Sequence, residues 1–248
     1  MPFAGGIMQH GYQCGMIWGA TLAAGAEAYR RFGSGPRAET AAILAAQRVV
    51  ESFRGRHGEI DCLEITHIDK TSSTWEMINY FVIKGGTIGC FRMASWYAPL
   101  AFHAIESALA EVEAASPDTQ ESDESLPPPR SCAAELARRM GASEMHTVMA
   151  SGLAGGIGLC GGACGALGAA LWLRGLTMGK EKGRKLKYED HLRNPGHQEL
   201  IQRFMRLTDF EFECSEIVGR SFSHADDHAT YLRDGGCREL IEGLADEE

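Results

Sequence analysis

The residues of this 248-residue chain best suited to chemistry are its eight cysteines: Cys14, Cys62, Cys90, Cys132, Cys160, Cys164, Cys214 and Cys237. Thiolates ligate soft metals and iron–sulfur clusters, and they exchange disulfides. The densest setting is residues 155–166, a glycine-rich turn holding Cys160 and Cys164 and running into an apolar helical stretch. A related stretch opens the chain. Setting residue 5 on residue 155 pairs Gly5 with Gly155, Gly6 with Gly156, Ile7 with Ile157, Gly11 with Gly161, Cys14 with Cys164 and Gly15 with Gly165. Self-similarity of this kind is the mark of an internal repeat.

The repeat sorts the thiols. Cys14, Cys62 and Cys90 correspond to Cys164, Cys214 and Cys237, at offsets of 150, 152 and 147 residues (164 − 14, 214 − 62, 237 − 90). Cys132 and Cys160 have no cysteine partner. His10 stands where Cys160 stands in the second copy, and the first copy begins at the residue matching Ser151. Each matched cysteine lies at a predicted helix start or just after a glycine. Unpaired amide groups and the positive end of a helix favour thiolate over thiol. Glycine lets backbone approach a bulky anionic group without a Cβ in the way. Such settings suit an iron–sulfur cluster of either the two-iron or four-iron kind, a metal-free redox thiol pair, or zinc. By internal symmetry the ligand sets are Cys160 with Cys164, Cys214 and Cys237, and His10 with Cys14, Cys62 and Cys90. Cys160 and Cys164 share a face only if the turn between them is helical. His67, His224 and His228 lie near cysteine segments, but nothing marks them as ligands.

The elements that position these residues read as helices throughout, with weak strand signal, so the expected fold class is all-α. Helices are predicted over 14–32, from Pro36 to about Arg54, from a Thr71–Thr74 cap to Gly85-Gly86, and from Cys90 to about Ala115. In the second half they are predicted from Ser131, over 143–154, from Cys164 to about Arg174, from Asn194-Pro195, and from a Ser223 cap to Arg233. In the Pro36 helix, Ile43, Ala46, Val50 and Phe53 form one apolar stripe. Trp96, Tyr97 and Phe102 are read as core. Residues 116–130 hold Asp118, Glu121, Asp123, Glu124 and Pro127-Pro128-Pro129. That acidic, proline-rich composition predicts a linker. The domain organisation is therefore a first repeat over 1–115, a linker over 116–130 and a second, fuller repeat over 131–248.

Composition narrows the function further. The formal net charge of −9 disfavours nucleic acid as a partner. Lys180, Lys182, Arg184, Lys185 and Lys187 form one basic run, read as a solvated loop. No secretory signal is evident, so this many cysteines points to a cytoplasmic metal or redox protein, not a disulfide framework. Residues 147–173 carry no charge and are long enough to cross a bilayer. Eight glycines within them argue for a buried helix–turn–helix instead. No serine–histidine–aspartate set, phosphate loop or dinucleotide fingerprint is present. An oxidoreductase component remains open, and so does a homo-oligomer.

The second half resembles the C-GCAxxG-C-C family, named for its cysteine pattern and described as redox-active. The pattern reads here as Cys132, the block Ala163-Cys164-Gly165-Ala166-Leu167-Gly168, Cys214 and Cys237. The local order is Cys-Gly-Ala where the family has Gly-Cys-Ala. The resemblance covers about 131–244 and, more weakly, 1–94. It implies redox activity, iron–sulfur binding and Cys132 as fourth ligand of the second site. The related split-Soret cytochromes point the same way, but no Cys-x-x-Cys-His is present for haem. The expected function is electron transfer through cysteine-bound iron–sulfur clusters, with a redox protein as partner. A metal-free thiol–disulfide protein and a zinc-stabilised module are the alternatives.

Overall fold

A computed structural model describes residues 2–115, 131–183 and 187–246. The predicted linker, 116–130, and Arg184 and Lys185 of the basic run lie outside the described residues. The architecture is all-α: among the described residues there are thirteen α-helices, one π-helical turn and two isolated β-bridges.

In the first unit, α1 spans Gly15–Phe32 and α2 spans Pro36–His57. Pro36 occupies the first helical position, where its missing N–H costs nothing. Gly58, at φ 80°, ends α2. Helix α3 is the short Cys62–Thr66. Helix α4, Thr74–Ile78, opens on a capping box in which Ser73 and Glu76 satisfy each other's amides. It runs into the π-helical turn Asn79–Ile83, and α5 covers Gly86–Ala114.

The second unit repeats this order behind two added helices, α6 (Cys132–Arg139) and α7 (Glu144–Ser151). Helix α8 is Gly165–Lys182, more than two turns beyond the predicted end at Arg174. Helices α9 (Tyr188–Leu192) and α10 (Pro195–Leu207) follow, the latter capped by Asn194. Helices α11 (Cys214–Val218), α12 (Ala225–Arg233) and α13 (Arg238–Ala245) complete the chain. The N-cap of α12 is His224, not Ser223, and its side chain makes no capping bond.

The two units interlock. Helix α7 precedes the second glycine turn in sequence, yet it packs against α1 and α2 as well as α6. At its crossing with α1, a Cβ on Gly25 would lie 2.5 Å from the Cα of Met149. Only glycine permits that approach. Glu39 of α2 is buried and pairs with Arg138 of α6. Trp18 of α1 is wholly buried on Gly168 of α8, where an added Cβ would stand 2.2 Å from its ring. Trp18 and Gly168 are 150 residues apart, the repeat offset (168 − 18). A residue meeting its own counterpart signals an approximate twofold relation between units.

Residues 147–173 form α7, a turn and the first half of α8. Among the described residues no helix is long and apolar enough to cross a membrane.

Candidate redox site

Each site is built on a left-handed turn. Gly155, Gly156, Ile157, Gly158 and Leu159 have φ between 57° and 76°, and Gly5, Gly6, Ile7, Met8 and Gln9 between 49° and 71°. Five successive left-handed residues are rare, since each non-glycine residue there costs roughly 1–2 kcal/mol. The turns persist because Ile157 and Ile7 are wholly buried and because the chain returns close over them. A Cβ on Gly156 would fall 2.3 Å from the carbonyl oxygen of Gly162, and one on Gly6 would fall 2.0 Å from that of Tyr12.

A backbone clasp then fixes two thiols in each unit. Cys164 donates its amide hydrogen to Phe212 O at 2.8 Å, and Cys214 donates to Gly162 O at 2.7 Å. In the first unit Cys14 donates to Ile60 O and Cys62 to Tyr12 O, both at 2.8 Å. The clasp aligns the N-cap residue of α8 or α1 with the first residue of α11 or α3.

In the second unit four cysteines converge. Cys164 is raised to about 12 by burial and next by Cys132. Cys214 is driven well above the ordinary thiol range by burial, then by Cys132, Cys164 and Cys237. Cys237 is raised by burial, then by Cys132 and Cys164. Cys132 behaves differently. Burial, the largest single influence, opposes its ionisation, but the charge and hydrogen bond of His228 and the amides of Gly155 and Ala133 together outweigh it, so it is lowered. Cys164 likewise receives the amides of Leu167 and Ala166. The left-handed turn thus aims Gly155 N–H at Cys132.

Three cysteines converge in the first unit. Burial raises Cys14 to about 11, with Cys62 and Cys90 contributing. Burial also raises Cys62, against the hydroxyl of Thr66 at 4.0 Å. The two sites are joined at their backs. Gln13, buried beside Cys14, accepts the amide hydrogen of Ala163 at 3.0 Å, beside Cys164. His10 and Tyr12 stack on Phe212 at 4.7 and 5.0 Å.

Two candidates stand elsewhere. The turn holding Cys160 is left-handed, so the helical condition for pairing with Cys164 is not met. Cys160 bonds Gly158 O, and burial raises its pKa, with smaller effects of Arg54 and Glu51. It lines a small cleft with Gln13, Asp61 and Glu213. His10 bonds Ile7 O at 2.9 Å, and burial lowers its pKa. Among the described residues no group of three or more His, Cys, Asp or Glu is arranged to hold a metal ion. His228, passed over in the sequence, is 1% exposed and sits edge-on to Phe222 at 4.8 Å. Its closeness to Cys132 joins segments 96 residues apart (228 − 132) and has no local signature.

The family described as "Putative redox-active protein (C_GCAxxG_C_C)" matches residues 1–95 and 130–247. The chain belongs to this family. The two matched segments agree with the two repeats, and the four-cysteine pattern of the C-GCAxxG-C-C family falls on the four thiols that converge in the second. The first segment has no counterpart of Cys132. No curated protein and no solved structure matches the chain.

Proposed function

We propose that Cys132, Cys164, Cys214 and Cys237 hold an iron–sulfur cluster and that the protein transfers electrons through it. The observation that carries this reading is the convergence of four thiols from four separate segments, three buried and Cys237 partly buried, which alter one another's ionisation. Four thiolates so placed repel one another, and a cationic iron core removes that penalty.

When bound, such a cluster takes up and returns an electron. The chain supplies the rest. The amides of Gly155, Ala133, Ala166 and Leu167 face sulfurs and stabilise negative charge on them. Burial keeps bulk water away. Cys14, Cys62 and Cys90 form a three-thiol counterpart, linked to the complete site through Gln13 and Ala163. All eight cysteines are free thiols, which suits a reducing, cytoplasmic setting and a redox protein as partner.

The test is the visible spectrum of anaerobically purified protein. Broad absorbance that bleaches with dithionite is expected. Colourless protein whose free thiols fall in pairs on mild oxidation would put the metal-free dithiol reading in its place.

A further inference from the structure

The longest helix turns an apolar face to solvent. Helix α5 keeps Tyr97, Ala101, Ile105 and Leu109 inside, and Tyr97 donates its hydroxyl hydrogen to Val49 O of α2 at 2.7 Å. On the other side Ile88, Phe91 and Phe102 are 66–73% exposed. Trp96 and Phe102, read as core from the sequence together with Tyr97, are therefore surface residues, because only Tyr97 turns towards α2. The adjoining α4 and π-helical turn add Trp75, Ile78 and Val82, three and four residues apart and all exposed.

Single exposed apolar side chains are ordinary, but a face of them is not. At about 150–250 Å² per side chain, Trp75, Phe91, Trp96 and Phe102 alone leave roughly 500 Å² of mostly apolar surface in water. The aliphatic neighbours bring the face to the order of 800 Å², the share each partner gives to a standard stable interface. Between Met77 and Ile105 the only Lys, Arg, Asp or Glu side chains are Lys84 and Arg92. Two cations on a chain of net charge −9 give little hold on an anionic lipid surface.

The pattern instead complements itself. Ile88, Phe91, Ser95, Ala98 and Phe102 recur at alternating spacings of three and four, the spacing of a seam between paired helices. Two antiparallel copies related by a twofold axis at Ser95 set Ile88 opposite the partner's Phe102 and Phe91 opposite the partner's Pro99. The small, exposed Ser95 and Ala98 sit at the crossing, where two helices must approach most closely.

We propose that this face of α5, with α4 and the π-helical turn beside it, is the interface of a homodimer in which two copies of the chain pack α5 antiparallel about a twofold axis. Cys90 stands seven residues before the buried Tyr97, on the inner side of α5, so the seam is separate from the thiols.

The test is the mass of the full-length protein in reductant, at micromolar concentration, by light scattering after size exclusion. Wild type should have twice the chain mass of 26.9 kDa. Phe91→Glu/Phe102→Glu should fall to the single-chain mass with unchanged far-UV circular dichroism. Ser95→Cys tests the axis even if the double variant unfolds. Mild oxidation should link it into a covalent dimer that neither wild type nor Glu199→Cys, on the exposed side of α10, forms. A monomeric wild type, a dimer that survives the double substitution, or a Ser95→Cys protein that links no more than wild type overturns the proposal. A monomeric wild type that sediments with phosphatidylglycerol vesicles gives the face to lipid and overturns it equally.

Discussion

Cys164 and Cys214 lie 50 residues apart (214 − 164), yet crossed backbone bonds through Phe212 and Gly162, at 2.8 and 2.7 Å, hold their segments together. The first unit repeats the clasp through Ile60 and Tyr12. The thiols are therefore placed by backbone, on a strained turn that leaves little freedom. That arrangement suits a site that must hold its ligands still through a change of charge.

Gly156→Ala should destabilise the protein by about 2 kcal/mol or more. Its φ is 76° and an added Cβ meets the Gly162 oxygen at 2.3 Å. In a chain of this size that lowers Tm by roughly 4–8 °C, at about 2–4 °C per kcal/mol. Calorimetry showing a change below about 0.5 kcal/mol, the range of an ordinary surface substitution, would mean the turn is not constrained as described.

Gln13→Ala tests the joint between units. It leaves the amide of Ala163 without its acceptor in a buried place. A loss of roughly 1–3 kcal/mol in urea unfolding is expected. No measurable loss would show that the Gln13–Ala163 bond does not hold the sites together.

The cysteines should separate by variant. Cys132→Ser, Cys164→Ser, Cys214→Ser and Cys237→Ser are each expected to abolish the second-site visible signal. Cys160→Ser should retain it, since Cys160 bonds Gly158 O and lines a cleft that holds no other cysteine. A Cys160→Ser protein without the signal would restore Cys160 as a ligand.

Acid should weaken the fold through His191 and His197. Their rings stack at 5.4 Å, and both are buried. Burial lowers His191 to about 4 and lowers His197 as well. The unfolded chain takes up these protons near pH 6.5 and the folded one resists, so stability falls as pH drops from 6.5 towards 4. Asp61, raised to about 6 chiefly by burial, acts in the opposite sense. The informative comparison is therefore wild type against His191→Gln. The variant should show a flatter loss between pH 6.5 and 4, and parallel curves would remove His191 from the account.

Much of the scaffold could be read from residues alone. The Pro36 and Asn194-Pro195 helix starts and the stripe of Ile43, Ala46, Val50 and Phe53 are local signals, and local physics decides them. The cysteine repeat exposed the paired sites. What escaped was decided by tertiary contact. Ile157 and Leu159 disfavour the left-handed region, so nothing local announced the turn that removes Cys160 from Cys164. His228 reaches Cys132 only through the packing of α12, and α7 crosses to the first unit.

The measurement closest to the central claim is iron and acid-labile sulfide per chain in anaerobically purified protein, beside a Cys132→Ser/Cys214→Ser double variant. Wild type should contain iron and sulfide in matching amounts with an EPR signal on reduction, and the double variant should lose the second-site share. Wild-type protein free of iron and sulfide, or a double variant that keeps them in full, would contradict the account.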